Sequence, residues 1–184
     1  MSIVPLLDIR IETPRLLLRS PSESDVEAVA SELNDLDVVR TLARVPFPYS
    51  RADALAFLSS SRESALRGKA VNLVITSNGA AIGCVGLDDY PATNELGYWL
   101  GRKHWRQGIA TEAVKAFVSW CFLELCVKEI RSGAFVDNPP SLRVQEKLGF
   151  LQIGTSLRPS LARGYAVQHI DTILTHEGFK ASDP

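Results

Sequence analysis

The stretch from Glu95 to Ala113, ELGYWLGRKHWRQGIATEA, decides how this chain is read. Glu95 to Leu100 is short, apolar and aromatic, the composition of a strand. Gly101 to Gln107 is a loop in which Arg102, Lys103 and Arg106 add positive charge beside the helix that follows. Gly108 then opens a helical pattern that runs to Cys126, with Ile109, Ala113, Ala116, Phe117, Trp120 and Cys121 on one broad face. A helix N-terminus presents unpaired backbone N–H groups and the positive end of its dipole. Gly108 and Ala110 are small enough for a bulky anion to come close, so this junction predicts a diphosphate cradle. It is neither a P-loop, which needs GxxxxGK[ST], nor a dinucleotide fingerprint, which needs GxGxxG. By spacing alone it is equally an ordinary strand–loop–helix connection.

Working outward, Arg15 to Ser20 reads as a strand and Ser22 to Asn34 as a helix with Val26, Val29, Ala30 and Leu33 at helical spacing. Arg51 to Arg67 reads as a second helix, opened by a capping-box variant of Ser50 and Asp53. Val71 to Thr76 and Ala81 to Leu87 flank Asn78-Gly79, a pair suited to a tight hairpin turn with positive φ at both positions. Downstream, Glu129 to Val136 reads as a strand and Ser141 to Leu148 as a helix stopped by Gly149. Phe150 to Thr155 and Ala166 to Leu174 complete the strands. The order β-αα-βββ-α-β-α-ββ predicts a mixed α/β (α+β) sheet with helices on it, not a doubly wound one.

The 184 residues suit one domain spanning 1–184, with a core over about 12–175. The net charge of −1 gives no electrostatic footprint for nucleic acid or a membrane surface. No apolar run reaches the ~18 residues of a membrane span, and the opening MSIVPLLDIRIETP lacks a leader's basic and apolar regions. Cytoplasm is the expected location. Cys84, Cys121 and Cys126 form no CxxC pair and no zinc spacing, and read as buried core thiols; no metal is expected.

Four stretches in order resemble the GCN5-related N-acetyltransferase (GNAT) superfamily, and within it the ribosomal-protein-alanine acetyltransferase (RimJ/RimL-like) branch. They are Glu12-Thr-Pro-Arg-Leu-Leu-Leu-Arg19, Glu95 to Leu100, Trp105 to Ala113, and Asn138-Pro-Pro-Ser-Leu-Arg-Val-Gln-Glu-Lys-Leu-Gly-Phe150. The resemblance implies the GNAT fold, a mostly antiparallel sheet splayed between the strands at Glu95–Leu100 and Glu129–Val136. It implies acetyl-CoA as donor, its pantetheine arm lined by Tyr98, Trp99 and Leu100. A backbone N–H there would polarise the thioester carbonyl. Arg106, Gln107, Gly108, Ile109, Ala110 and Thr111 would hold the pyrophosphate. Trp105 stands where the wider superfamily has Gln or Arg, a departure common in this branch. Asn138 and Ser141 would contact pantetheine and thiol, with Ser141 as a donor to the leaving sulfur. Many relatives place a Tyr there; Asn138 to Phe150 has none.

Direct transfer to an amine needs a proton acceptor, and Glu95, at the start of the site strand, is the candidate. Asp171 resembles an aspartate of the branch that could orient an amine, or forms an internal hydrogen bond. His104, His169 and His176 show no triad spacing. Phe47, Pro48 and Tyr49 read as acceptor-pocket shapers by likeness, or as a surface loop. The leading reading is an acetyl-CoA-dependent N-acetyltransferase acting on a protein N-terminal α-amine or a small-molecule amine, the latter including detoxifying acylation. A non-catalytic acyl-CoA sensor on the same fold is the alternative. Homodimers are common among such relatives, but no interface is legible in the chain.

Overall fold

The computed structural model describes residues 6–179. The first five residues, part of the opening segment read above for a leader, and the last five lie outside it.

Eight strands form one sheet in the order β1-β2-β3-β4-β5-β6-β8-β7. In chain order these are β1 (Arg10–Glu12), β2 (Leu17–Arg19), β3 (Val71–Ser77), β4 (Ala80–Asp88), β5 (Glu95–Leu100), β6 (Glu129–Phe135), β7 (Leu151–Ser160) and β8 (Tyr165–Thr175). Every neighbouring pair is antiparallel except β5 and β6. Helices α1 (Val26–Leu33), α2 (Leu36–Val39) and α3 (Arg51–Leu66) cover one face; α4 (Ile109–Glu124) and α5 (Pro139–Leu148) cover the other. The expected mixed, mostly antiparallel sheet is therefore present.

Local chemistry explains the element ends. The β3–β4 turn has φ of 50° at Asn78 and 82° at Gly79, the pair of positive values the Asn-Gly sequence predicts. Ser50 and Asp53 close a reciprocal capping box on α3. Asn138 accepts from the Ser141 N–H to open α5, with Pro139 and Pro140 in its first turn, and Gly149 ends it in the left-handed region. Two packed cores result. One joins Leu18, Leu73, Val85 and Leu96 to Phe117, Val118 and Cys121 of α4. The other joins Val26, Val29 and Leu33 to Tyr49, Leu58 and Val74.

Some boundaries differ from the sequence reading. Arg10–Glu12 is a strand the pattern did not show, because three residues carry too little periodicity. The helix expected from Ser22 begins as a 3-10 turn over Glu23–Asp25. The strand expected to end at Thr155 continues to Ser160 through Gly154 and Pro159, residues that interrupt a strand's pattern; the ladder is irregular between Gln152 and Gly154. Cys84 and Cys121 are buried, as expected, but Cys126 is exposed at a positive φ just after α4. The apolar run that seemed to bury it ends with the helix.

Candidate active site

The parallel pair β5 and β6 stays together only at its start. Glu95 is in register with Arg131, and the Arg131 N–H donates to the Asn94 carbonyl at 3.0 Å. Beyond that the strands part. The Gly101 N–H donates to the Ile82 carbonyl of β4 at 2.9 Å. Alternate residues of a strand point their backbone groups the same way, so Glu95, Gly97 and Trp99 turn theirs toward β4. Leu96, Tyr98 and Leu100 turn theirs toward the gap. The Leu96 carbonyl there accepts from Ser132 Oγ at 3.0 Å, and the Leu100 carbonyl from Trp105 Nε1 at 2.9 Å. Between them the backbone of Tyr98 faces the gap. On the β6 side, buried Gln145 donates to the Gly133 carbonyl at 3.0 Å and accepts from Thr172 Oγ1 at 2.6 Å. Gln145 thus occupies the hydrogen-bonding edge that a closed ladder would use.

Two clefts meet at this opening. One, of about 620 Å³, is lined by Leu100, Trp105, Arg106 and Gly108 to Thr111 on one side and by Asp137, Pro140, Arg143, Val144 and Lys147 on the other. The other, of about 800 Å³, runs past Glu95, Gly97, Gly86 and Asn72 beneath α3. Tyr98, Trp99, Asn138 and Ser141 line both. The sequence candidates Glu95, Tyr98, Trp99, Leu100, Arg106, Gly108, Ile109, Ala110, Thr111, Asn138 and Ser141 all lie on one cleft or the other. Gln107 lines neither cleft; its side chain donates back to the Lys103 carbonyl. Leu100 presents little more than backbone, its side chain being in the core.

At the helix entrance Arg106 and Gly108 both have positive φ, 61° and 75°. Gly108 is the N-cap of α4, and a Cβ there would meet only Arg15 Nη2, at 3.4 Å. Arg15 braces the turn: Nη1 donates to the Gln107 carbonyl at 2.9 Å and Nε to Glu112 Oε2 at 2.6 Å. Burial alone would raise the Glu112 carboxyl, but bonds from Thr13 and Arg15 outweigh it and hold the group below its ordinary value. The charge of this loop is arranged differently from the sequence reading. Arg102 pairs with Asp35, the N-cap of α2, and with Asp37 of α2, and Lys103 with Glu32 of α1, acids some seventy positions away. The cations that line the cleft without an ion pair among the described residues are Arg106, Arg143 and Lys147. The last two are four apart on α5, a spacing that could have revealed them.

At the meeting point, Tyr98 Oη lies 2.8 Å from Ser141 Oγ and donates to the Ser141 carbonyl at 3.0 Å. Burial pushes the phenol above its ordinary value. A tyrosine hydroxyl thus reaches the start of α5 from β5. On the other cleft Arg158 of β7 donates to Glu95 and, at 3.1 Å, to Asp171 Oδ1. Asp171 also accepts from Ser156 at 3.1 Å and lies 2.9 Å from His169 Nδ1. Burial would raise Asp171, but these partners outweigh it and hold it low; burial first, and the Arg158 charge after it, keep His169 below its usual value. Asp171 is thus engaged in internal hydrogen bonds, and Arg158 is a site residue the sequence did not single out. Tyr49 is buried on this cleft while Phe47 is exposed, so the Phe47–Tyr49 segment both shapes the pocket and faces outward. Trp120 packs in the core region against Phe117.

Residues 15–151 match the family described as acetyltransferase (GNAT) domain. The chain belongs to the GNAT acetyltransferase family. The uncharacterized N-acetyltransferase p20 of Bacillus licheniformis is 27% identical over 147 residues, covering 77% of this chain and 82% of the relative. Among solved structures, Mycobacterium smegmatis RimJ in complex with CoA-disulfide superposes with a TM-score of 0.84 at 20% identity, covering 97% of this chain and 91% of that one. The microcin C7 self immunity acetyltransferase MccE, in complex with acetyl-CoA and AMP, gives 0.79 at 20% identity over 89% and 93%. These structures share the fold of this acetyltransferase. Among its described residues no helix is long and apolar enough to cross a membrane, and no group of three or more His, Cys, Asp or Glu is placed to hold a metal.

Proposed function

We propose that this acetyltransferase uses acetyl-CoA and passes the acetyl group directly to a primary amine, either a protein N-terminal α-amine or a small-molecule amine. The observation that carries this is the junction at Tyr98, where a cationic, helix-capped cleft and an acceptor cleft open onto one strand edge. Gly108 to Thr111 supply N–H groups to the pyrophosphate, and Arg106 adds charge. Pantetheine runs along Tyr98 and Trp99, past Asn138. The Tyr98 N–H donates to the thioester carbonyl, where negative charge grows as the amine adds. Glu95 takes the amine proton, oriented by Arg158. The carbon–sulfur bond then breaks, and the sulfur takes a proton through Ser141, backed by Tyr98, leaving free CoA thiol. Named complexes of similar fold, RimJ with CoA-disulfide and MccE with acetyl-CoA, support the cofactor assignment.

The test is thiol release from acetyl-CoA across peptide N-termini, polyamines and amino acids, with calorimetry of CoA binding. Amine-dependent release with CoA binding is expected. Binding without release for any amine would favour a sensor and refute the transferase reading.

A further inference from the structure

The acceptor cleft has a built floor. Asn72 of β3 is in register with Gly86 of β4, and Gly86 with Gly97 of β5. Residues directly opposite across strands share a face, so these three form one transverse row, and all three line the cleft. Two consecutive positions of that row have no side chain. A Cβ on Gly97 would meet nothing within 4 Å. A Cβ on Gly86 would come within 2.2 Å of Asn72 Oδ1, so the Asn72 carboxamide lies across the bare backbone of β4. One wall of this trough is the row of Glu95 and Asp88, each paired with an arginine; the other is the row of Trp99 and Cys84.

The inner end is polar and unsatisfied. Ser61 of α3 lines the cleft at 5% exposure, and its Oγ has no hydrogen-bond partner among the described residues. A buried hydroxyl of this kind is rare without a role, because an unmade bond there is costly. Neighbouring Ser60 is satisfied by the Phe57 carbonyl, so helix geometry does not force the difference. The Asn72 carboxamide likewise bonds to no group among the described residues, leaving both its acceptor and its donors facing the cleft.

We propose that the Gly97–Gly86–Asn72 trough is a subsite for the acceptor's tail, ending at Asn72 and Ser61. This rests on the transferase reading above and names the class of acceptor it leaves open. The reacting amine sits by Glu95 on β5, and Asn72 lies two strands away, about 10 Å. The fitting acceptor is a primary amine on a slender extended tail. About 10 Å from the nitrogen it carries a neutral group that both donates and accepts, an amide or a hydroxyl. Three extended residues of peptide span that distance. A linear amino-polyol presents the same chemistry. An alkyl tail of equal length would leave Ser61 and Asn72 without partners, and a branched tail would not lie on the glycine floor.

The experiment compares kcat/KM for triglycinamide, 1-amino-1-deoxysorbitol, glycinamide and n-octylamine with acetyl-CoA. The polar-tailed amines are expected to exceed octylamine by about tenfold or more, and triglycinamide to exceed glycinamide, since each hydrogen bond made to a buried partner adds about fivefold. The better of the two polar tails identifies the source. In Ser61→Ala and Asn72→Ala the triglycinamide-to-glycinamide ratio should fall about fivefold. Gly97→Val fills the trough from a position where a side chain meets open space. It should keep the melting temperature and the KM for acetyl-CoA while abolishing the preference for long acceptors. Equal ratios in all three variants, or octylamine as the best acceptor, would overturn the subsite but not the transferase. No transfer to any of the four amines, with acetyl-CoA still bound, would overturn the transferase reading and this one with it.

Discussion

Replacing Ser141 by Ala and Tyr98 by Phe, singly and together, tests how the thiol leaves. Tyr98→Phe removes one oxygen from a ring that stays packed against the core. That oxygen lies 2.8 Å from Ser141 Oγ, and in Ser141→Ala it keeps the Ser141 backbone carbonyl at 3.0 Å as a partner. Ser141→Ala therefore leaves the buried phenol a partner, whereas Tyr98→Phe frees the half-buried Ser141 hydroxyl from its one partner among the described residues. Ser141→Ala also leaves the α5 cap intact, since the cap uses the Ser141 N–H and the Asn138 side chain. A hydrogen bond to a group gaining charge is worth about 1.5–3 kcal/mol, so losing the Ser141 donor should lower kcat by about 10–100-fold. Tyr98 acts through Ser141, and losing a neutral bond of about 1 kcal/mol should lower kcat about fivefold. If the two act in series, the double variant is no slower than Ser141→Ala, and the coupling equals the whole Tyr98 effect. The assay is kcat by thiol release at saturating acetyl-CoA and amine, with the KM for acetyl-CoA followed in parallel. An acyl donor with a more acidic thiol should need the donor less, shrinking the Ser141→Ala deficit. Unchanged kcat in Ser141→Ala would remove it from the chemistry. Multiplicative losses in the double variant would mean that the two hydroxyls act separately.

Two further expectations concern the flanking clefts. Glu95→Gln should slow transfer most at low pH, where the amine is protonated and a base is needed, and the deficit should close as pH rises toward the amine's own pKa; a parallel offset at all pH values would exclude Glu95 as the base. Glu112 has a folded pKa below its unfolded one, so its contribution to stability is present above about pH 4 and is lost as pH falls through the lowered value. Melting curves of the wild type and Glu112→Gln should therefore differ at neutral pH and converge in acid, and a gap that does not narrow as pH falls would show that the Arg15 brace does not depend on the carboxylate.

Much of this molecule was legible where one short segment contains both the cause and its effect. Asn78-Gly79 sets its own turn, Ser50 and Asp53 cap their own helix, and Gly108 opens α4 because its neighbours supply the strand and the helix. Misreadings arise where a residue's partner comes from elsewhere in the chain. Arg102 and Lys103 look like cofactor charge within their loop, yet acids on α1 and at the start of α2 neutralise them once the sheet brings those helices alongside. Arg158 stands in a strand whose Gly154 and Pro159 obscure its length, and it becomes a site residue only when β7 pairs with β8 and reaches Glu95. Arg15 reaches the turn before Gly108 through a contact 92 positions long.

The same distinction applies to the tyrosine that Asn138 to Phe150 lacks. Transfer chemistry fixes where a hydroxyl must be, not which strand or helix carries it. The splay of β5 from β6 leaves Tyr98 free to turn its backbone into the gap while its side chain crosses beneath to Ser141. A closed ladder would have taken that backbone into pairing. On the proposed function, the opening lined by Gln145 on the β6 side and by the bonds of Ser132 and Trp105 to β5 would give one residue two uses, an N–H for the thioester carbonyl and a phenol behind the departing sulfur. Such economy is invisible in a strand's composition, because it depends on which of its hydrogen bonds the fold leaves unmade.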